Sequence, residues 1–296
     1  MAIDGPLANL SETWLLPGAL ATIMFAIGLE LRPGAFLNLA VRRKPLVAGM
    51  VGMALLVPLV GTCIAWKLAP TPAIAVGLIL LATCPVGVLA PLVTDLCKGS
   101  VALSISMTVI ISGLYILAAP LIAHQAVEAA FGSSPPITAP TEALFAKIAL
   151  ITVAPVSLGL LAARLRPQLI ERANAIKSIM SVVLIAVFGL IVLRQWQTLV
   201  DAMWAITGLV LLMNLINLFI AAIVTRAAGV TGPEASAIVV CHVMRQEGTA
   251  IFIAVSVLGA PEIALPLIIN TFVGIALCAV LLPPLRARQR SCADGA

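Results

Sequence analysis

Cys241-His242-Val243-Met244-Arg245-Gln246-Glu247-Gly248-Thr249 decides how this chain is read. A mostly apolar run from Ala235 to Val240 precedes it and another from Ala250 to Leu258 follows, so the whole segment is long enough to cross a bilayer with His242, Arg245 and Glu247 near its middle. An ionisable side chain at membrane depth costs roughly 2.5–3.5 kcal/mol on insertion scales. Three so close together persist only by facing protein or water and by finding partners. One reading is a buried structural pairing between helices. The other is a polar site on a transport pathway, where intramembrane ionisable groups usually sit. Gly248 beside the charges predicts a helix break that frees backbone groups for a ligand.

The rest of the chain agrees with a membrane setting. It has 296 residues, 62% hydrophobic and 10% charged, with mean hydropathy +1.17; soluble domains carry about 25% charged residues. The first thirteen residues hold Asp4 and Glu12 but no Lys or Arg, unlike the basic start of a signal peptide. The net charge of +5 resides in inter-span loops and sets topology rather than marking a nucleic-acid partner. Cys63, Cys84, Cys97, Cys241, Cys278 and Cys292 lie mostly in apolar runs without metal-ligand spacing and read as small buried hydrophobes. No phosphate-binding loop, dinucleotide fingerprint or HExxH motif occurs, so neither ATP-driven pumping nor a zinc protease is supported.

A bilayer-spanning helix needs about 20 apolar residues. On that measure the sequence predicts an all-α polytopic protein of nine spans: 14–36, 45–67, 73–96, 100–123, 141–163, 176–195, 203–226, 235–258 and 262–282. Arg32, Arg42, Arg43, Lys44, Lys98, Arg164, Arg166, Arg172, Lys177, Arg226, Arg286, Arg288 and Arg290 then fall on one side, and only Lys67 and Arg194 on the other. The positive-inside rule places the N-terminus outside and the C-terminus in the cytoplasm, in an integral plasma (inner) membrane protein. Trp14, Trp66, Trp196, Trp204 and Tyr115 read as interfacial anchors.

Two spans are interrupted. The third carries Pro85-Val86-Gly87 and then Pro91, and the eighth is the charged stretch. Thr71-Pro72 opens one and Gly232-Pro233 the other, 161 positions apart (233 − 72), and Gly87 and Gly248 keep the same offset (248 − 87). Five span-to-span steps separate them, so the copies run in opposite directions. Paired broken helices in inverted repeats point to the binding site of a secondary transporter.

Gly28-Leu29-Glu30-Leu31-Arg32-Pro33-Gly34-Ala35-Phe36, Pro85-Val86-Gly87 and Lys98-Gly99-Ser100-Val101-Ala102-Leu103-Ser104-Ile105-Ser106-Met107-Thr108 resemble motifs of the bile acid:sodium symporter family. The likeness runs through essentially the whole chain and is similar to a divergent member of the wider bile, arsenite and riboflavin transporter superfamily. It implies one transporter domain over 1–296, with inverted repeats of five helices and the first helix of repeat one absent. It also implies a panel (14–36, 141–163, 176–195) beside a core (45–123 and 203–282), the two broken helices crossing inside the core, and alternating access between panel and core. Against the family's pattern, Val86, Ala90 and Pro91 replace a Gly and a Ser-Asn pair, His242 replaces an acid, Glu247 replaces an amide, and Met53 stands where a glutamine serves a second sodium site. Ser104, Thr108 and Gln246 match sodium-ligand positions.

These features predict a secondary transporter of a small or amphipathic organic anion, with no enzymatic activity and no cofactor beyond a coupling ion, Na+ or H+. Substrate binding is expected at His242, Arg245, Glu247, Gly87, Gly248, Asn214 and Asn270. On an intact helix Arg245 would be free to fork onto a substrate carboxylate; the alternative is a pairing with Glu30, Asp95 or a backbone carbonyl. Ion coupling is expected from Ser104, Thr108, Gln246, Glu247 and His242. The lost sodium ligands favour proton coupling through His242 and Glu247, or ion-independent transport. The rival is sodium coupling at one remaining site, Ser104, Thr108, Gln246 and Glu247. A non-transporting membrane sensor is a further alternative. Oligomeric state is not legible.

Overall fold

The computed structural model describes residues 14–30, 43–132, 141–194 and 196–294. The expected end of the first span (31–36), Arg32, Arg42, the segment 133–140 and Gln195 lie outside the described residues, as do the side chains of Glu30, Trp196, Arg288, Arg290 and Cys292.

Every regular element among the described residues is helical. In chain order they are α1 (Leu16–Glu30), α2 (Arg43–Leu68), α3 (Pro72–Thr83), α4 (Ala90–Leu96), α5 (Val101–Phe131), α6 (Thr141–Leu165), α7 (Ala173–Arg194), α8 (Trp196–Ala227), α9 (Gly232–Val243), α10 (Glu247–Phe252, continued by a π turn at Ile253–Val257) and α11 (Leu265–Asp294). Among the described residues, four helices are long and apolar enough to cross a membrane: Arg43–Leu68, Val101–Phe131, Trp204–Ala227 and Pro261–Ala287. The expected third and eighth spans do not appear as single helices. Each is split into two half-helices, α3 with α4 and α9 with α10.

Local chemistry accounts for most boundaries. Thr71 is extended (φ −138°, ψ 155°) and its hydroxyl accepts from Ile74 N, while Pro72 occupies the first turn, where its missing N–H is harmless. Thr231 is also extended (φ −132°, ψ 175°) before Gly232-Pro233. Both helices that follow are twelve residues long. Pro91, expected to interrupt a span, instead sits in the first turn of α4. Pro58 explains a π turn at Gly52–Leu56 inside α2: it cannot donate to the ladder, and its ring presses on the preceding turn.

The interior follows from composition. Helix α3 is apolar on every side, and its residues from Ala73 to Ala82 are all buried, packed among α2, α5 and α11. Helix α1 packs chiefly on α6 and α7. Gly28 and Gly159 permit that approach: a Cβ on Gly28 would overlap the backbone of Val156, and one on Gly159 the carbonyl of Phe25. Tyr115 departs from the expected interfacial role, because it lies mid-helix in α5 and is buried in the main apolar cluster. Trp14, Trp66 and Trp204 are exposed. Arg286, expected in a loop-like tail, lies in α11, which continues through Pro283 and Pro284; its Nε donates to Leu96 O at the end of α4.

Candidate functional site at the helix crossing

The two breaks meet. Val86 and Arg245 form an isolated antiparallel bridge, with Gly87 N donating to Met244 O (2.8 Å) and Gln246 N to Pro85 O (3.0 Å). The Gln246 side chain adds a bond from Val88 N to its Oε1 (3.4 Å). Pro85 ends the α3 ladder for want of a donor, and Gly87 lets the chains touch: a Cβ there would lie 3.0 Å from Arg245 O and 3.3 Å from Met244 C. The matching break contains no proline or glycine. It spans Met244, Arg245 and Gln246, and Gly248, expected to open it, is instead buried inside the first turn of α10. What holds Met244–Gln246 out of a helix is the bridge itself, which gives these backbone groups partners from the other break.

Because the chain leaves the helix at Met244, the helical spacing that would aim Arg245 at a ligand does not apply. Arg245 is 5% exposed. Its Nη1 donates to Cys84 O (2.8 Å) and lies 3.6 Å from Met53 Sδ in the π turn of α2, and its Nη2 donates to Ala82 O (3.3 Å). Of the expected alternatives, a backbone-carbonyl partner is the one found. These carbonyls lie at the C-terminal end of α3, the negative end of its dipole. Nε is buried without a partner.

His242 and Glu247, expected to form one titratable pair, have different neighbours. The His242 ring is fully buried, with Nδ1 2.8 Å from Ile238 O; a carbonyl only accepts, so Nδ1 carries the proton of the neutral ring. Its Nε2 has no partner and lies against Gly52, where a Cβ would overlap it. Glu247 faces Asn270 of α11, which in turn meets Asn214 of α8. Asn270 Nδ2 donates to Glu247 Oε1, and Asn214 Nδ2 donates to Asn270 Oδ1 (2.6 Å) and to Val210 O (2.9 Å). This makes a buried polar chain Asn214–Asn270–Glu247 through three helices. Asn214 Oδ1 remains a buried acceptor without a partner.

The four oxygen donors expected for one sodium ion are not brought together by hydrogen bonds. Ser104 Oγ is 3.3 Å from Cys241 Sγ, and Thr108 Oγ1 donates to Ser104 O (2.8 Å) within its own helix. Gln246 turns to Val88 and Glu247 to Asn270. The residues fit a hard cation better near Glu247, whose carboxylate is an oxygen donor of the preferred kind, with the orphaned Asn214 Oδ1 further along the same hydrogen-bonded chain. Five participants were missed from sequence. Cys241 and Gly52 carry no signal there, the carbonyls of Ala82 and Cys84 have no side-chain signature, and Thr249 was passed over although its Oγ1 is buried and unpartnered.

The sequence model described as the sodium bile acid symporter family matches residues 17–202. The chain is also 26% identical over 230 residues to "Uncharacterized sodium-dependent transporter YocS" of Bacillus subtilis (strain 168), covering 77% of this chain and 70% of that protein.

Proposed function

Since the chain belongs to the sodium bile acid symporter family, being an integral membrane transporter and not an enzyme, we propose that it imports an amphipathic organic anion coupled to sodium by alternating access. The crossing of two half-helix pairs, with Glu247, Asn270 and Asn214 buried beside it, carries this reading. Broken helices whose free ends meet within an apolar protein are where secondary transporters hold substrate and ion. Sodium takes precedence over the proton for two reasons. The relative is described as sodium-dependent, and His242 does not share a site with Glu247. Glu247 supplies the carboxylate, and the Asn214 Oδ1 acceptor lies one amide away. Sodium bound there would screen the buried negative charge and favour entry of an anionic substrate alongside it.

The nine-span topology and the inverted repeat are part of the same proposal. Their supports are the equal twelve-residue lengths of α3 and α9 and the extended threonine before each. The packing of α1 on α6 and α7 supports those three as a panel that moves against the remaining helices.

The deciding experiment is uptake of a radiolabelled bile acid into proteoliposomes. An inward sodium gradient is expected to accelerate uptake saturably relative to choline, and a pH gradient alone to leave it unchanged. Uptake driven by the pH gradient without sodium would return the coupling to the proton, and absence of any uptake would favour the sensor alternative. Topology has its own test: Cys292 is expected to react with a membrane-impermeant maleimide only after the membrane is opened. Labelling in intact cells reverses the orientation.

A further inference from the structure

Arg245 stands at the crossing but belongs to none of the polar groups that the proposed transport cycle uses. Its backbone is pinned by the bridge to Val86, and its guanidinium reaches Ala82 O, Cys84 O and Met53 Sδ. Among the described residues no carboxylate lies within ion-pair distance of it, Glu247 being turned to Asn270. The acceptors are the unpaired carbonyls that end a half-helix, and such carbonyls are what coordinate a coupling cation in transporters built on broken helices. Here a covalently attached cation takes that place. The third neighbour agrees: a thioether is a poor ligand for a hard ion, while it tolerates a weakly hydrated guanidinium.

We infer that the Arg245 guanidinium is a tethered cation occupying the position at the C-terminal end of α3 where an exchangeable ion would otherwise bind. The inference rests on the transporter reading and deepens it. One positive charge of the crossing is permanent, so the number of ions moved per substrate is lower by one than a crossing with two exchangeable sites would give. Arg245 neutralises the end of the α3 dipole and the neighbourhood of Glu247 in every state of the cycle, leaving Glu247 to answer the exchangeable ion.

The test needs no transport. Purified Arg245→Ala is heated with millimolar guanidinium, with sodium, or with choline at equal ionic strength. An ion that binds only the folded state raises the melting temperature. Guanidinium is expected to raise the melting temperature of Arg245→Ala by several degrees and to leave that of the unaltered protein unchanged, whereas choline raises neither and sodium, which the Glu247 site still binds, raises both by a smaller amount. Absence of any guanidinium-specific shift in the variant overturns the inference, as does an equal shift in the unaltered protein. If Arg245→Ala yields no folded protein, Arg245→Lys and Arg245→Gln decide. Retention of folded protein by Lys alone supports a cation requirement, and equal retention or equal loss overturns it. Failure of bile acid uptake by the unaltered protein would sink the transport proposal and leave these melting shifts as they are.

Discussion

Replacing Glu247 by Gln is expected to lower the initial rate of sodium-driven uptake by one to two orders of magnitude. Glu247 accepts from Asn270 Nδ2, and Asn270 accepts in turn from Asn214. Glutamine keeps an acceptor oxygen for Asn270 and nearly the same volume, so the helices stay packed. What disappears is the negative charge. A hydrogen bond or ion contact made by a charged group contributes about 1.5–3 kcal/mol, and at 1.4 kcal/mol per decade that is the loss expected here. A melting temperature within a few degrees of the unaltered protein would separate this effect from misfolding. Undiminished sodium-driven uptake would remove Glu247 from the coupling site.

Gly159→Leu is the substitution expected to destabilise the protein most. The backbones of α1 and α6 touch at Gly159 and Gly28, so any Cβ on Gly159 must displace the Phe25 carbonyl or the backbone of Gly28 itself. Helix–helix association in a membrane depends on such close packing, because lipid offers side chains an equally apolar alternative. Overpacking costs typically about 1–3 kcal/mol and more when the obstacle is backbone. The expected result is loss of monodisperse protein on size-exclusion chromatography in detergent. Gly113→Ala is the matched control: nothing lies within 4 Å of a Cβ there, so it should behave as the parent. Normal yield and melting of Gly159→Leu would mean that α1 and α6 are not in backbone contact in the bilayer.

Composition and hydropathy made the membrane class and the helices legible, and Pro85-Val86-Gly87 made one break legible, because a missing donor acts within its own turn. The other break was misplaced to Gly248 because its cause is not local: Met244–Gln246 leave the helix for hydrogen bonds offered by the first break. That error carried forward. Reading Arg245 as free to fork onto a substrate carboxylate assumes an intact helix, and with the chain extended at Arg245 the guanidinium turns to the end of α3. Asn214, Asn270 and Glu247 were each picked out as polar groups in apolar surroundings, but their joining is a relation between three helices that spacing along one chain does not encode. Tyr115 was misassigned on residue type, since its depth in α5 is set by the neighbours that cover it.

The unequal origin of the two breaks has a consequence for biogenesis. The first is written into its own residues and can form as soon as α3 and α4 leave the ribosome. The second has no proline or glycine of its own and needs Pro85 O and Gly87 N in place. Chains emerge N-terminal half first, so the earlier half serves as a template. The segment Gly232–Val257 has partners for its break only once it docks on the first. A chain whose first half is damaged at Gly87 therefore loses the shape of both halves, whereas truncation after α5 leaves the first break able to form.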